Sequence, residues 1–533
     1  MSQPLSRVAW LSCLACFALT GCGVQFDRAD LVILNAAEPE SLDPAIVTGQ
    51  PEGRVVNTLF EGLTDFDEHG KTVPGVAEHW EITEQGRRYL FHLRPEARWS
   101  NGDPVTAHDF VASWRRTLSP ETASAYSYLL YCIEGAEAFA LVQENQEWAG
   151  DWSQVGVRAL SDHQLEVVLA EATPYFIDLC AFTTLRPVHV PSVEEHGEHW
   201  LRPGNLISNG AYQLKAWRIN DRVRVEKNPH YWDAENVAMT TVDFLPTNQA
   251  MAAFNLYDTG EADLMLDKGL APMMFLHRLR ERPDFHSAPI LATYFLRFNV
   301  TQPPFDDARV RKALALAIDK SSITERITRA GEPATDVFVP PGTGRDYQPP
   351  QGLGYDPDLA RQLLAEAGYP EGRGFPRVSY LYNPSDLNEA VFVELQSMLR
   401  RELGIDIVQA KQEWKVYLNS MESLNYNIAR SSWVGDYNDP NTFLDLFVTG
   451  GGNNRTGWGH PDYDQAIQQA AAALEPEERN TWFQRAEQIL VTEAVPVVPL
   501  YFFVGILFYD ADRLGGMHPN LLDEHPVRRM YWK

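Results

Sequence analysis

The sequence predicts an α/β protein, and three observations carry that prediction. Residues 356–410 read as helix, strand, helix and strand in succession, an order that implies parallel strands with helices layered on the sheet. A further amphipathic helix over 307–318 places Val310, Leu314, Ala317 and Ile318 on one side. Runs at 89–93 and 165–169 read as strands, and Thr106-Ala-His-Asp109 opens a helix between them that continues through Arg116.

The punctuation of the first block is specific. Asp356 supplies an N-cap and Pro357 a first-turn proline; Leu359, Leu363 and Leu364 form the apolar stripe; Gly368 and Pro370 close the helix. Residues 378–382 follow as a strand. Asp386 is expected to cap a helix running to Leu403, Gly404 to end it, and 405–410 to form the next strand. The Pro- and Gly-rich stretch 340–355 reads as a long surface loop. No repeat of 20–50 residues and no linker-like change of composition divides the chain.

Length adds the scale. At roughly 150 residues per domain, 533 residues suggest about three domains. Hydrophobic content of 44% with 22% charged residues excludes general disorder. A formal net charge of −27 argues against DNA, RNA or an anionic membrane surface as the main partner, since those require fields of Lys and Arg. Of five cysteines, Cys13, Cys16 and Cys22 crowd the first 22 residues, leaving Cys132 and Cys180. That is not a disulfide scaffold, and whether the last two pair stays open.

Arg7 and the short apolar run 8–19 fit a signal peptide better than a membrane span, which needs about 20 apolar residues. Leu19-Thr20-Gly21-Cys22 follows and resembles the bacterial lipobox. That resemblance implies a signal peptide over 1–21 and a mature protein anchored to a bacterial membrane through lipid on Cys22. The apolar stretch 494–508 is bounded or interrupted by Glu493, Gly505 and Asp510.

Catalytic and metal signatures are weak. His189, His196 and His199 lie near Glu194, Glu195 and Glu198, but without the HExxH arrangement, and a solvated helix face accounts for them. No GxSxG elbow or Walker loop is present, and Asp462 and Asp464 read as loop and cap residues. The expectation is a protein that is not an enzyme and holds no metal or cofactor.

Longer motifs say what is bound. Ser41-Leu-Asp-Pro44, Gly49-Gln-Pro-Glu52, Leu59-Phe-Glu-Gly-Leu63 and Pro74-Gly-Val-Ala-Glu78 open an ordered series. It continues with Trp99–Ala107, Asp109-Phe110, Ser113-Trp114, Asn209–Tyr212, Asn228–Trp232, Pro304–Asp306, Ala365–Gly368 and Ser432–Pro440. The series resembles the family-5 periplasmic solute-binding proteins, receptors of ABC importers for peptides and nickel, and is most similar to the oligopeptide-binding members. The resemblance implies a two-lobed periplasmic-binding-protein fold with an extra inserted domain and a hinged ligand cleft. Transferred here, lobe I is built from 22–60, 190–291 and 504–533, the insert is 61–189, and lobe III is 292–503. The chain then crosses between lobes near Leu291 and Phe503, natural hinge positions.

A general peptide receptor must fix two charged ends and a repeating amide backbone. The resemblance implies that Asp436 pairs with the peptide α-ammonium; from the residues alone, a turn cap before Asn438-Asp439-Pro440 is the rival reading. It implies that Arg430 meets the carboxylate, that the Ser432 backbone pairs with the ligand chain and that Trp433 walls a pocket. Gln50, Tyr126, Asn383, Trp414 and Phe503 match other groove positions, whereas Tyr501 reads as core. Three basic positions of the oligopeptide-binding pattern are Thr328, Asn388 and Met421 here; its disulfide pair is Ala292 and Val434; two of its cleft aromatics are Leu266 and Ile290. These departures imply short peptides or an altered C-terminal group, with Arg326 or Arg329 able to compensate. Expected partners are short peptides, an ABC permease with its ATPase and, through Cys22, a membrane; the expected state is a monomer in the periplasm or at the cell surface. A same-fold receptor for a nickel complex, opine or oligosaccharide, or a peptide-sensing or chaperone-like lipoprotein uncoupled from transport, stays open.

Overall fold

The computed structural model describes residues 26–141, 151–247, 249–412, 414–435 and 437–533, with side chains at all of these except 345, 346, 386, 414 and 415. Two long strands organise it. Phe285–Phe298 and Val497–Phe508 run antiparallel at the centre of a ten-stranded sheet. On one side of this pair lie Ile428–Val434, Val378–Tyr382 and Ile407–Lys411; on the other lie Leu264–Met265, Leu31–Leu34, Thr241–Leu245, Arg222–Lys227 and Tyr212–Arg218. Both parallel and antiparallel ladders occur, as helices between strands require.

The long strands belong to two bodies at once. Leu296, Phe298, Val498 and Leu500 pack with the helices of 308–403 in one core, while Val504, Ile506 and Phe508 pack with Val32, Leu34 and Met265 in another. A separate four-stranded antiparallel sheet, running Ala77–Thr83, Arg88–Leu93, Gln164–Val168 and Val157–Ser161 in spatial order, shares a core with the second body. Between the bodies the ladder breaks, its register shifting between Pro289 and Thr293. Leu291 finds other partners there: its N–H donates to the Leu521 carbonyl (2.6 Å), and its carbonyl accepts from Gly435 N–H (2.7 Å). The crossing is therefore tied to the end of the Ile428–Val434 strand and to the C-terminal segment.

Most expected elements are present. Asp356 caps Pro357–Glu366 by accepting from Leu359 N–H (3.0 Å), and Thr106 with Asp109 forms a capping box at Ala107–Leu118. The helix Asp386–Leu403 ends at Gly404, whose φ of 68° is the left-handed conformation glycine adopts without strain. Its cap is Ser385 rather than Asp386, because the Ser385 hydroxyl reaches Asn388 N–H (3.0 Å). The strand expected from 405 begins at Ile407. The 340–355 stretch is not wholly a surface loop: it contains the short helix Thr343–Asp346, and Tyr347 is fully buried against Glu487. His189 is likewise no solvated residue; it is buried, caps Val190–His196 by accepting from Ser192 N–H, and packs edge-on against Trp99. No described helix is long and apolar enough to cross a membrane; the leader and Cys22 lie outside the described residues.

Candidate functional site

The Ile428–Val434 strand has one paired edge and one partly open edge. It pairs with Phe285–Phe298 along its whole length, Ala292 facing Val434 and Phe298 facing Ile428. On the other side Val378–Tyr382 pairs only with Ile428 and Ala429. In an antiparallel ladder alternate residues turn their N–H and C=O groups to the partner. Gly435 N–H donates to Leu291, so Ser431 and Trp433 face that partner too, while Arg430, Ser432 and Val434 face the open edge. The Tyr417 hydroxyl donates to the Arg430 carbonyl (2.6 Å) from that edge, which agrees with the assignment. Beyond Arg430 the edge is unclaimed by any strand among the described residues.

Arg430 stands at the start of this open stretch. Its guanidinium lies 5.0 Å over the Tyr294 ring and donates to the Ser432 hydroxyl (3.1 Å) and the Asn383 side-chain oxygen (3.4 Å). Its Nε is buried without a hydrogen-bond partner, and no carboxylate pairs with it among the described residues. Burial lowers its pKa, but the phenols of Tyr294, Tyr417 and Tyr380 outweigh that and leave it raised, so the charge persists. A bidentate cation held by neutral groups beside an open strand edge can receive a carboxylate.

On the opposite face of the sheet Trp433 borders a cavity of about 550 Å³ between two chain regions. One wall comes from residues 128–132 and 170–179, the other from Trp433, Tyr437 and 441–446. The walls touch where Tyr175 and Tyr437 stack, centroids 4.1 Å apart and planes 8° from parallel. Burial pushes both phenols up, so they stay neutral in ordinary buffers.

The structure thus brings Arg430, Ser432 and Asn383 into contact and sets Trp433 on the other face of the same strand. Phe503 is partly buried 6.2 Å from the Tyr294 ring, while Tyr501 is fully buried and stacked on Tyr294 at 4.8 Å, as a core residue should be. Tyr126 packs with Phe182 and Tyr128, and Gln50 is exposed at the start of the helix Gln50–Leu59. Asp436 and the Trp414 side chain lie outside the described residues. Sequence reasoning missed Tyr294, Tyr417, Tyr175 and Tyr437. Tyr294 and Tyr417 occupy buried positions of ordinary elements, and nothing local marks them as neighbours of Arg430 or marks Tyr175 and Tyr437 as partners across a cavity.

The substituted positions are instructive. Thr328 is buried and donates to Glu332 (2.7 Å); Asn388 is buried between Tyr294 and Asn383; Met421 packs with Leu381, Tyr417 and Tyr426. Arg326 and Arg329 are exposed at the end of the turn Thr324–Thr328. Ala292 and Val434 are directly opposed register partners. Cys132 and Cys180 are free thiols, with burial pushing Cys132 up to about 12.

Comparison with known proteins places this arrangement. Residues 71–455 match the bacterial extracellular solute-binding proteins, family 5, middle region. The periplasmic oligopeptide-binding protein OppA of Escherichia coli is 34% identical over 512 residues, covering 95% of this chain and 93% of its own. A solved structure described as the MppA periplasmic murein tripeptide binding protein, unliganded open form, superposes with a TM-score of 0.84 at 35% identity, covering 95% of this chain and 98% of that one. Haemophilus influenzae OppA in complex with RPPGFSPFR gives a TM-score of 0.73 at 32% identity, covering 95% of this chain and all (100%) of that one. The two bodies and their crossing strands are thus the two-lobed periplasmic-binding-protein fold, and the chain belongs to the family-5 bacterial extracellular solute-binding proteins.

Proposed function

We propose that this protein captures short peptides in the cleft between its lobes and delivers them, closed, to an ABC permease and its ATPase. The observation that carries the reading is the open edge at Ser432 and Val434, flanked by a guanidinium that no described carboxylate neutralises. An extended peptide adds to that edge through its amides, and Arg430 receives its carboxylate. Asp436 holds the α-ammonium, whose free pKa of about 7.7–8.0 a neighbouring carboxylate raises. Gln50, Tyr126, Asn383, Trp414 and Phe503 line the groove.

Length preference follows from Thr328, Asn388 and Met421. All three are buried in internal contacts and none offers a cation to a more distant carboxylate, so affinity should fall beyond about three residues. Lobe I is formed from 22–60, 190–291 and 504–533, the insert from 61–189 and lobe III from 292–503, with the hinge at the register break. The protein acts as a monomer, tethered outside the cytoplasm through lipid on Cys22.

Calorimetric titration with peptides of two to five residues tests the reading. Asp436→Ala should weaken tripeptide binding by about 2–5 kcal/mol and leave the unfolding transition in place. Unchanged affinity would remove Asp436 from the site, and equal affinity at every length would remove the length preference.

A further inference from the structure

Two side-chain contacts join chain regions that the long central strands do not. The first is the Tyr175–Tyr437 stack. Each ring is held by its own side. Tyr175 precedes Phe176, which is fully buried edge-on against Tyr89, and the Tyr437 hydroxyl accepts from the Asn441 side chain (3.0 Å). The second contact is Leu474, half exposed between the helices Pro461–Ala472 and Pro476–Gln488. It sits on the turn Glu84–Gly86 of the four-stranded sheet: a Cβ at Gly86 would lie 3.0 Å from Leu474 Cδ2 and 3.5 Å from Ala172 Cβ. Glycine at 86 gives the leucine its seat and also supplies the φ of 85° that the turn needs. The helices flanking Leu474 pack in a core with Phe338, Phe443 and Phe447, apart from the core of the four-stranded sheet. None of these contact residues lies on Phe285–Phe298 or Val497–Phe508, so a rotation about those crossing strands parts the contacts and leaves the strands intact.

We infer that the Tyr175–Tyr437 stack and the seat of Leu474 on Gly86 form a latch that holds the lobes closed and slows release of any peptide between them. The inference rests on the peptide reading above and gives the 61–189 insert a part in retention. One ring pair and one leucine make a small contact, so the latch shifts the balance of open and closed states without locking it. An aromatic pair is worth about two- to tenfold in such an equilibrium. Leu474 is not among the described residues that line the cavity, so it acts on a peptide through closure and not by touching it.

The test is stopped-flow binding and displacement of Ala-Ala and Ala-Ala-Ala on the full chain, with the melting temperature measured alongside. Tyr175→Ala should speed release of both peptides by the same factor, about three- to tenfold, with association within about twofold of wild type. Leu474→Ala should speed release of both by about two- to threefold at an unchanged melting temperature. Tyr175→Phe keeps the ring and should match wild type. Wild-type release rates in Tyr175→Ala or in Leu474→Ala overturn the latch while peptide binding stands. So does a Tyr175→Ala factor that differs by about threefold or more between the two peptides, which would mark direct contact with ligand. Tyr175→Phe behaving as Tyr175→Ala overturns it as well. Failure of the wild-type protein to bind either peptide overturns the peptide reading, and the latch with it.

Discussion

Two buried settings for arginine differ in a way that separates structure from recognition. In one network Asp65 lies between Arg186 (2.9 Å) and Arg528 (2.7 Å), all three nearly inaccessible. Burial pushes the Asp65 carboxyl up, but the two arginines outweigh it and hold it below the usual range. Glu61 nearby accepts from the Tyr231 hydroxyl and the Trp232 indole (2.7 Å). This network ties residues 61–65 to Arg186, to Tyr231 and Trp232 and to Arg528 in the C-terminal segment. Arg297 and Arg430, by contrast, are held by dipoles and rings. Arg297 is buried between Phe295 and Phe447, donates to Ser431 (3.1 Å) and the Asn453 carbonyl (2.7 Å), and is pulled down to about 10 by burial. Arg430 is similarly held. Ion-paired charges staple the fold, whereas a charge left with neutral neighbours at an open edge retains its capacity for a ligand.

The largest effect should come from breaking the staple. Asp65→Asn leaves two buried guanidinium groups facing a neutral amide and should lower stability by about 3–5 kcal/mol in denaturant unfolding. A change below about 1 kcal/mol would mean that the network is dispensable.

Next comes Glu487, a buried carboxyl that accepts from Phe338 and Val339 N–H and from the Tyr347 hydroxyl. Burial pushes it up to about 7, against those hydrogen bonds. Below its ordinary value of 4.5 both folded and unfolded states hold the proton; between 4.5 and about 7 only the folded state does. Stability should therefore fall as pH rises through that window, by about 3 kcal/mol at most, and Glu487→Gln should remove this part of the slope. An identical pH profile in the variant would show that the carboxyl titrates normally.

Arg430→Met should cost about 2 kcal/mol of tripeptide affinity while leaving stability equal or higher, because no described anion loses its partner. Loss of stability comparable to Asp65→Asn would collapse the distinction between the two settings. The smallest effect belongs to Arg485, whose pair with Glu493 is two-fifths exposed on both sides. Arg485→Gln should change stability by less than about 0.5 kcal/mol, showing that burial and not the presence of an ion pair sets the scale.

Local signals in the sequence were read well where the physics is local. The Asp356 cap, the Thr106–Asp109 box and the Gly404 stop depend on residues within one helical turn, and each is where the spacing placed it. Ser385 displaced Asp386 by one position because either side chain could reach the first turn, and only the backbone geometry decides between them. Tyr347 escaped notice because a Pro- and Gly-rich stretch marks a turn but not the distant carboxyl, Glu487, that buries its hydroxyl.

The candidate site divides in the same way. The sequence by itself determined the α/β alternation, the ordered motifs that carry the family and the Arg430–Pro440 stretch, since chain spacing and residue type suffice for these. Tertiary structure alone decided that Val378–Tyr382 stops pairing after Ala429, that Leu291 leaves the central ladder for Gly435 and Leu521, and that Tyr175 meets Tyr437 across the cavity. Those contacts join residues far apart in the chain, and no local preference encodes which partner a strand edge or an aromatic face will find. Burial and register are properties of the assembled sheet, and they determine which of many similar arginines and tyrosines lie beside an open strand edge or a cavity.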